Sequence, residues 1–279
     1  MTPRFLYKYQ PVCTQSIQNL KAQVLYFSSP HHFNDPFDCA LMPNFRTPTA
    51  DELEGLMRHY LSRDLPEDAR REFKGANMAT LRSLFLRAGK AAFEQTVKVF
   101  LETKGVCCFS EKHDDLLMWS HYGGYCKGFC LEFSTTDEEF AKIVRKVDYS
   151  DDIPCIDLVP IILSAPDKPD KQVLDLFCTK STSWRYEHEW RGLHDTGGTA
   201  YRYPAEWLTG VYFGPNIEIE WREIICLILQ AQNSRVNFWR GRRSETEFKV
   251  VFEQVSYTPH AEAERKGLIR DEQSCSQSK

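Results

Sequence analysis

The sequence predicts an α+β fold, a mostly antiparallel split β-sheet with flanking helices and an all-helical insertion. Three observations predict it. The chain opens with an alternating apolar pattern, a short amphipathic stretch and a second alternating pattern. From about 50 to 104 the apolar residues recur at helical spacing. From Gly105 onward short aromatic and β-branched runs return. Helices gathered in one block, with runs of strands on either side, argue for α+β over an alternating parallel sheet. The 279 residues are enough for one domain, expected over 1–270, with residues 271–279 a polar tail expected to be disordered.

Each element has its own signal. Arg4 to Tyr9 alternates, with Phe5, Tyr7 and Tyr9 on one face and Leu6 and Lys8 on the other. Thr14 to Lys21 places Ile17 and Leu20 on one helical side, with Thr14 or Ser16 as cap. Val24 to Phe27 predicts a second strand, closed by Ser28-Ser29-Pro30. His31 to Asp38 is a loop, because Asn34-Asp35-Pro36 is turn chemistry. In the insertion, Leu53, Leu56, Met57 and Tyr60, then Leu81, Leu84 and Phe85, then Phe93, Val97 and Phe100 keep a helical period over two or three helices, broken at Leu65-Pro66. Val106 to Phe109, Gly128 to Phe133, Val147 to Tyr149, Thr209 to Phe213, Ile224 to Leu229 and Phe248 to Phe252 are expected strands. Asp114 or Asp115 caps a short helix that ends at Gly123. Asp170 to Thr182 is expected to be helical.

Composition excludes several classes. The net charge of −4 gives no global basic field for nucleic acid, although a local groove remains open. No apolar run approaches the length of a membrane span. The opening Met1-Thr2-Pro3-Arg4 lacks a signal peptide's apolar run, so a cytoplasmic location is expected, with the ten cysteines as reduced thiols. Cys107, Cys108, His113, His121, Cys126 and Cys130 cluster without a Cys-x-x-Cys pair, and no metal site is expected. Nucleophile-elbow, zinc-protease and dinucleotide-loop motifs are absent.

The chemistry centres on Trp184-Arg185-Tyr186-Glu187-His188-Glu189-Trp190-Arg191. As a strand it puts Glu187 and Glu189 on one face, roughly 6.5–7 Å apart, with Arg185 and Arg191 beside them. That pattern suits either a solvated face with cross-strand ion pairs or a catalytic carboxylate pair over a cleft.

Two resemblances follow from these motifs. Leu6-Tyr7-Lys8-Tyr9, Phe27-Ser28-Ser29-Pro30, Phe33-Asn34-Asp35-Pro36-Phe37-Asp38, Cys108-Phe109-Ser110, Met118-Trp119-Ser120-His121-Tyr122-Gly123, Gly128 to Phe133 and Trp184-x-Tyr186-Glu187-x-Glu189-Trp190-Arg191 resemble, in order, a bacterial domain-of-unknown-function family, number 2971. More distantly, three segments resemble the ADP-ribosyltransferases, and the fold is then expected to be ADP-ribosyltransferase-like. Lys8 stands where that family carries Arg or His, Ser28 and Ser29 where it carries its first hydroxyls, and Glu187-His188-Glu189 matches its carboxylate pair. Pro30 replaces the last serine of the pattern.

This second resemblance implies NAD as a substrate. Glu189 would steady an oxocarbenium-like ribose, and Glu187 would orient or deprotonate the acceptor. Lys8, Ser28, Ser29, Tyr9, Phe33 and Tyr122 would bind the dinucleotide. It implies a macromolecular acceptor, RNA, DNA or protein, and a toxin or phage-defence role with an antitoxin or regulatory protein as further partner. Arg235, Arg240, Arg242 and Arg243, interleaved with Phe238 and Trp239, form either a nucleic-acid patch or a solvated hairpin turn. The competing readings are a non-catalytic nucleotide- or partner-binding module, and a metal-dependent nuclease or hydrolase. The latter would use Asp35, Asp38, Glu132 and the glutamate pair with His31, His32 or His121.

Overall fold

The computed structural model describes residues 2–63, 66–163 and 171–268. It is α+β, with a mostly antiparallel mixed sheet flanked by helices. The eight strands of the main sheet are β1 (Phe5–Gln10), β2 (Gly105–Ser110), β3 (Phe129–Ser134), β4 (Val144–Lys146), β5 (Glu189–His194), β6 (Leu208–Phe213), β7 (Asn237–Arg243) and β8 (Val250–Val255). Their order across the sheet is β8-β7-β6-β3-β1-β2-β5-β4. Within this sheet, among the described residues, only β6 and β7 run parallel, joined through the helix Ile219–Gln232.

Alternation along the strands builds two cores. Leu6, Phe129, Leu131, Phe133, Val211 and Phe213 join a layer with Leu20 of the first helix, α1 (Thr14–Ala22), and with Ile225 and Leu229 of Ile219–Gln232. On the other side Tyr7, Tyr9, Cys130 and Tyr212 pack under Met118 and Trp119. The insertion forms α2 (Ala50–Leu61), α3 (Glu67–Gly75) and α4 (Met78–Thr103). Phe93, Val97 and Phe100 of α4 build a third cluster with Cys39, Ile156 and Phe177, in which Phe100 and Phe177 stack 3.6 Å apart.

One irregularity in the sheet positions the site. β1 pairs with β3 along its whole length, from Phe5 opposite Ser134 to Gln10 opposite Phe129. Against β2 it keeps a single registered pair, Tyr7 opposite Ser110. The two central strands therefore splay apart and leave a slit in the middle of the sheet.

Several expectations are corrected. Ile224 to Leu229 is not a strand but part of the helix Ile219–Gln232. Its buried residues Ile225, Cys226 and Leu229 follow helical spacing, and Leu227 points outward. Length decides such a run, and the surrounding residues extend it. Val24–Phe27 is a strand, but it pairs with Thr199–Arg202 outside the main sheet. The helix expected over 170–182 is described only at Lys171–Leu176, and Thr179–Ser181 is extended. Cys13, rather than Thr14 or Ser16, sits at the α1 N-cap. The basic segment is strand β7, not a hairpin turn. The expected tail, 271–279, and Leu65 lie outside the described residues.

Candidate functional site

The stretch at the centre of the sequence argument folds differently from a strand. Thr182–Glu187 is a 3-10 turn, and His188 takes a left-handed conformation with φ 45°. Only from Glu189 does β5 begin. The reversal at His188 nevertheless turns both carboxylates inward, and each is 3% exposed. Arg185 does not join them on that face but is exposed.

They enter a network of buried charge. Lys180 Nζ lies 2.6 Å from Glu187 Oε2, 3.3 Å from Glu189 Oε2 and 3.3 Å from Asp38 Oδ2. Arg191, fully buried, donates through Nε and Nη2 to the two oxygens of Glu189, both within 2.9 Å. Its other edge meets Asp38 at 2.7 Å and donates to the Phe177 carbonyl at 2.8 Å. The Asn34-to-Asp38 loop and β5 are thus pinned to one guanidinium, a planar fork suited to paired carboxylates. Three carboxylates against two cations leave one negative charge in the network.

The two glutamates differ in environment. Burial would raise the Glu189 carboxyl, but Arg191 and Lys180 outweigh it and hold the group down to about 2. Burial raises the Glu187 carboxyl, and the neighbouring Glu189 charge adds to it against the pull of Lys180. Tyr122 donates its hydroxyl to Glu187 Oε1 at 2.5 Å. Burial and the Glu187 charge push the Tyr122 phenol up. Tyr122 is placed by a short helix, α5 (Leu116–His121), whose N-cap Asp115 accepts from the amides of Leu117 and Met118. Gly123 lets the chain leave α5 against Trp119, because a Cβ there would come within 2.6 Å of its ring.

The network forms one wall of the slit between β1 and β2. The cavity has a volume of about 160 Å³, and Lys8, Tyr9, Phe33, Tyr122, Glu187 and Glu189 all line it. Lys8 lines the same cavity from the β1 side. Its ammonium donates to the Cys108 carbonyl at 3.3 Å and lies 5.6 Å from the Phe109 ring. Among the described residues no carboxylate stands within ion-pair distance of Lys8. Lys180, by contrast, is surrounded by Glu187, Glu189 and Asp38.

Ser28 and Ser29 do not line this cavity. Ser28 bridges through its backbone to Val106. The Ser29 hydroxyl donates to the Leu101 carbonyl and caps the turn at His31. Ser28 thus serves strand pairing through its backbone, and the Ser29 hydroxyl serves capping. Sequence reasoning missed Lys180, whose segment was expected to be helical. The alternating Thr179-Lys180-Ser181-Thr182 run, rich in β-branched and hydroxyl residues, is the strand signal that could have found it.

Of the residues named for a metal site, Asp38, Glu187 and Glu189 come together around Lys180, whereas Glu132 and the three histidines stand elsewhere. Glu132 accepts from the hydroxyls of Tyr7, Thr209 and Tyr212. His31, His32 and His121 are exposed. Asp38 and the glutamates already surround Lys180 and Arg191, which fill the place of a metal cation. Among the described residues no group of three His, Cys, Asp or Glu is arranged to hold a metal ion. The cysteines of the described residues are free thiols. Among the described residues no helix is long and apolar enough to cross a membrane.

Comparison with known proteins bears on part of this region. Neither the curated proteins nor the solved structures contain a match to the chain. Residues 118–192 match the family described as "Protein of unknown function (DUF2971)", a span that holds Tyr122, Lys180, Glu187, Glu189 and Arg191 of the site.

Proposed function

We propose that the chain is an NAD-dependent ADP-ribosyltransferase that modifies a macromolecule. The observation that carries this reading is the slit in the split sheet, where Lys8, Glu187 and Glu189 line one cavity together with Tyr9, Phe33 and Tyr122. The cavity is about half the smallest usual ligand pocket of ~300 Å³. Its size suits one planar ring, the nicotinamide, with the ribose at its edge and the diphosphate in the mouth toward Lys8.

Each side chain has a chemical part in this reading. Glu189 stays ionised and places a fixed negative charge beside the ribose as the nicotinamide–ribose bond breaks and nicotinamide leaves with the bonding electrons. Preorganised charge of this kind is worth about 2.7–4 kcal/mol per group lost. The acceptor nucleophile then bonds the anomeric carbon and gives its proton to Glu187, whose raised carboxyl is matched to that transfer. Tyr122 and Lys180 orient Glu187. A toxin or defence role, with an antitoxin or regulatory partner, belongs to the same reading.

A non-catalytic nucleotide-binding module is favoured by one observation: both Glu189 oxygens are engaged by Arg191. Purified protein separates the two. A transferase releases nicotinamide from NAD and carries labelled ADP-ribose onto an acceptor; Glu189→Gln loses both, and Glu187→Gln loses the transfer to the acceptor. Binding of NAD with no nicotinamide released at any acceptor concentration assigns the module instead. No NAD binding at all removes both readings.

A further inference from the structure

Beside the slit lies a second hollow, an open groove of about 470 Å³ lined by His113, Tyr212, Trp239, Lys249, Val250 and Phe252 among others. The two share a wall. Tyr7 lines the slit, and its ring lies 4.9 Å from that of His113 in the groove. We propose that this groove is the acceptor subsite, and that it holds a nucleobase of a single-stranded nucleic acid. The word acceptor rests on the transferase reading; the binding of a base does not.

The wall is built for a flat ring. Tyr212 and Trp239 lie within 5° of parallel at 5.6 Å, Phe252 meets Tyr212 edge-on at 5.1 Å, and His113 approaches Tyr212 to 4.4 Å. Buried hydrogen bonds hold it there. The hydroxyls of Tyr7 and Tyr212 both donate to Glu132, at 3.2 and 2.8 Å, and Thr209 donates to its other oxygen at 2.7 Å. A planar aromatic base stacks on such a surface whatever its identity, which an extended peptide cannot do along its backbone. The rim adds polar groups for a base edge, Asp114 and Lys249. Burial lowers His113 toward the neutral imidazole, which has one donor and one acceptor nitrogen.

Charge beside the groove supplies phosphate contacts. Arg243 stands opposite Val250 in register, and directly opposed residues share a face, so Arg243 lies on the groove side of β7. Arg243 is exposed, and among the described residues no carboxylate lies within ion-pair distance of it; Arg240 and Arg242, alternating with it along β7, lie on the strand's opposite face. Arg240 and Lys249 are partly spent on Glu253 and Glu247, at 4.0 and 2.5 Å. Asp114, Glu247 and Glu253 oppose an anionic strand, so binding is expected to be modest and steeply dependent on salt. A duplex hides the faces that stacking needs, which selects a single strand.

The test needs no NAD. Fluorescein-labelled mixed-sequence 12-mers of single-stranded RNA and DNA are titrated with the full chain at low salt, with the same sequences as duplexes alongside. Expected are binding of a single strand over duplex, a Kd raised on the order of ten-fold in Trp239→Ala from lost stacking, and recovery in Trp239→Phe. Arg243→Gln is expected to weaken binding and to flatten its salt dependence by about 0.7 of a unit in the log–log slope. Thermal melts establish that each variant is folded. No binding of either oligonucleotide, binding indifferent to Trp239, or equal binding of duplex overturns the inference and leaves a protein acceptor. Oligonucleotide binding without nicotinamide release would keep this site and overturn the transferase reading, so the two failures are distinguishable.

Discussion

At the scale of single residues, Arg191 joins Asp38 to Glu189, a convergence that among the described residues it shares with Lys180. Removing one member of a buried ion network leaves uncompensated charge, at a cost of about 3–5 kcal/mol. Arg191→Met is expected to lower the urea-unfolding free energy by that amount. A loss below about 1 kcal/mol, the range of an exposed pair, would show that the network is not structural. The two glutamates give a pH prediction of opposite signs. Glu189 falls from an unfolded value of about 4.3 to about 2 when folded. Its stabilisation is present above the unfolded value and lost as pH falls through the folded one. Glu187, raised by burial, contributes fully below its unfolded value and loses that contribution as pH rises through its folded one. Unfolding free energies between pH 2 and 7 are therefore expected to diverge. The advantage of wild type over Glu189→Gln grows with pH, and its advantage over Glu187→Gln shrinks. Parallel curves for the three proteins would contradict both signs.

At the scale of elements, the helix Ile219–Gln232 provides a direct test of the corrected assignment. In a strand, residues 225, 227 and 229 would share one face and behave alike. In the helix, Ile225 and Leu229 are buried and Leu227 is exposed. Ile225→Ala and Leu229→Ala are each expected to cost about 2–5 kcal/mol, and Leu227→Ala no more than about 0.5. Equal costs at all three positions would restore the strand. This element also shows what the sequence conceals. β1 was legible because Phe5, Tyr7 and Tyr9 alternate with Leu6 and Lys8, and β2, β3 and β6 because they are short aromatic and β-branched runs beside glycine or serine. Asp115 and the end of α5 were legible because capping is local. The run at 224–229 is apolar throughout, so its period is invisible until its neighbours are counted. The 3-10 turn before Glu189 was hidden for another reason. Its side chains alternate in character as a strand's do, and only the left-handed His188 reveals the break. The carboxylates were found from residue type and spacing, but Lys180 and Asp38 as their partners depend on contacts distant in sequence. Ser28 and Ser29 match the pattern in sequence but lie outside the cavity, Ser28 paired through its backbone and the Ser29 hydroxyl capping a turn.

The whole molecule concentrates its candidate chemistry where the sheet is weakest. β1 and β2 share one registered pair, so their unpaired backbone borders the slit, while neighbouring strands within each half pair over three or more residues. A ligand that bridges the slit ties these halves together and acts on the stability of the entire domain. A ligand that binds only the folded state stabilises by about 2.7 kcal/mol at a hundred times its Kd. At roughly 2–4 °C per kcal/mol for a large domain, this is a rise of several degrees in Tm. NAD is expected to produce that rise. Because the enclosed volume suits one ring, nicotinamide alone should produce a smaller rise of its own and compete with NAD. Lys8→Met removes the charge expected to meet the diphosphate and leaves the ring site intact. It is expected to diminish the NAD shift and spare the nicotinamide shift. Scanning calorimetry with each ligand checks all three. If Lys8→Met reduced both shifts equally, Lys8 would be supporting the slit itself; if neither ligand moved Tm in wild type, the slit would not be a dinucleotide site.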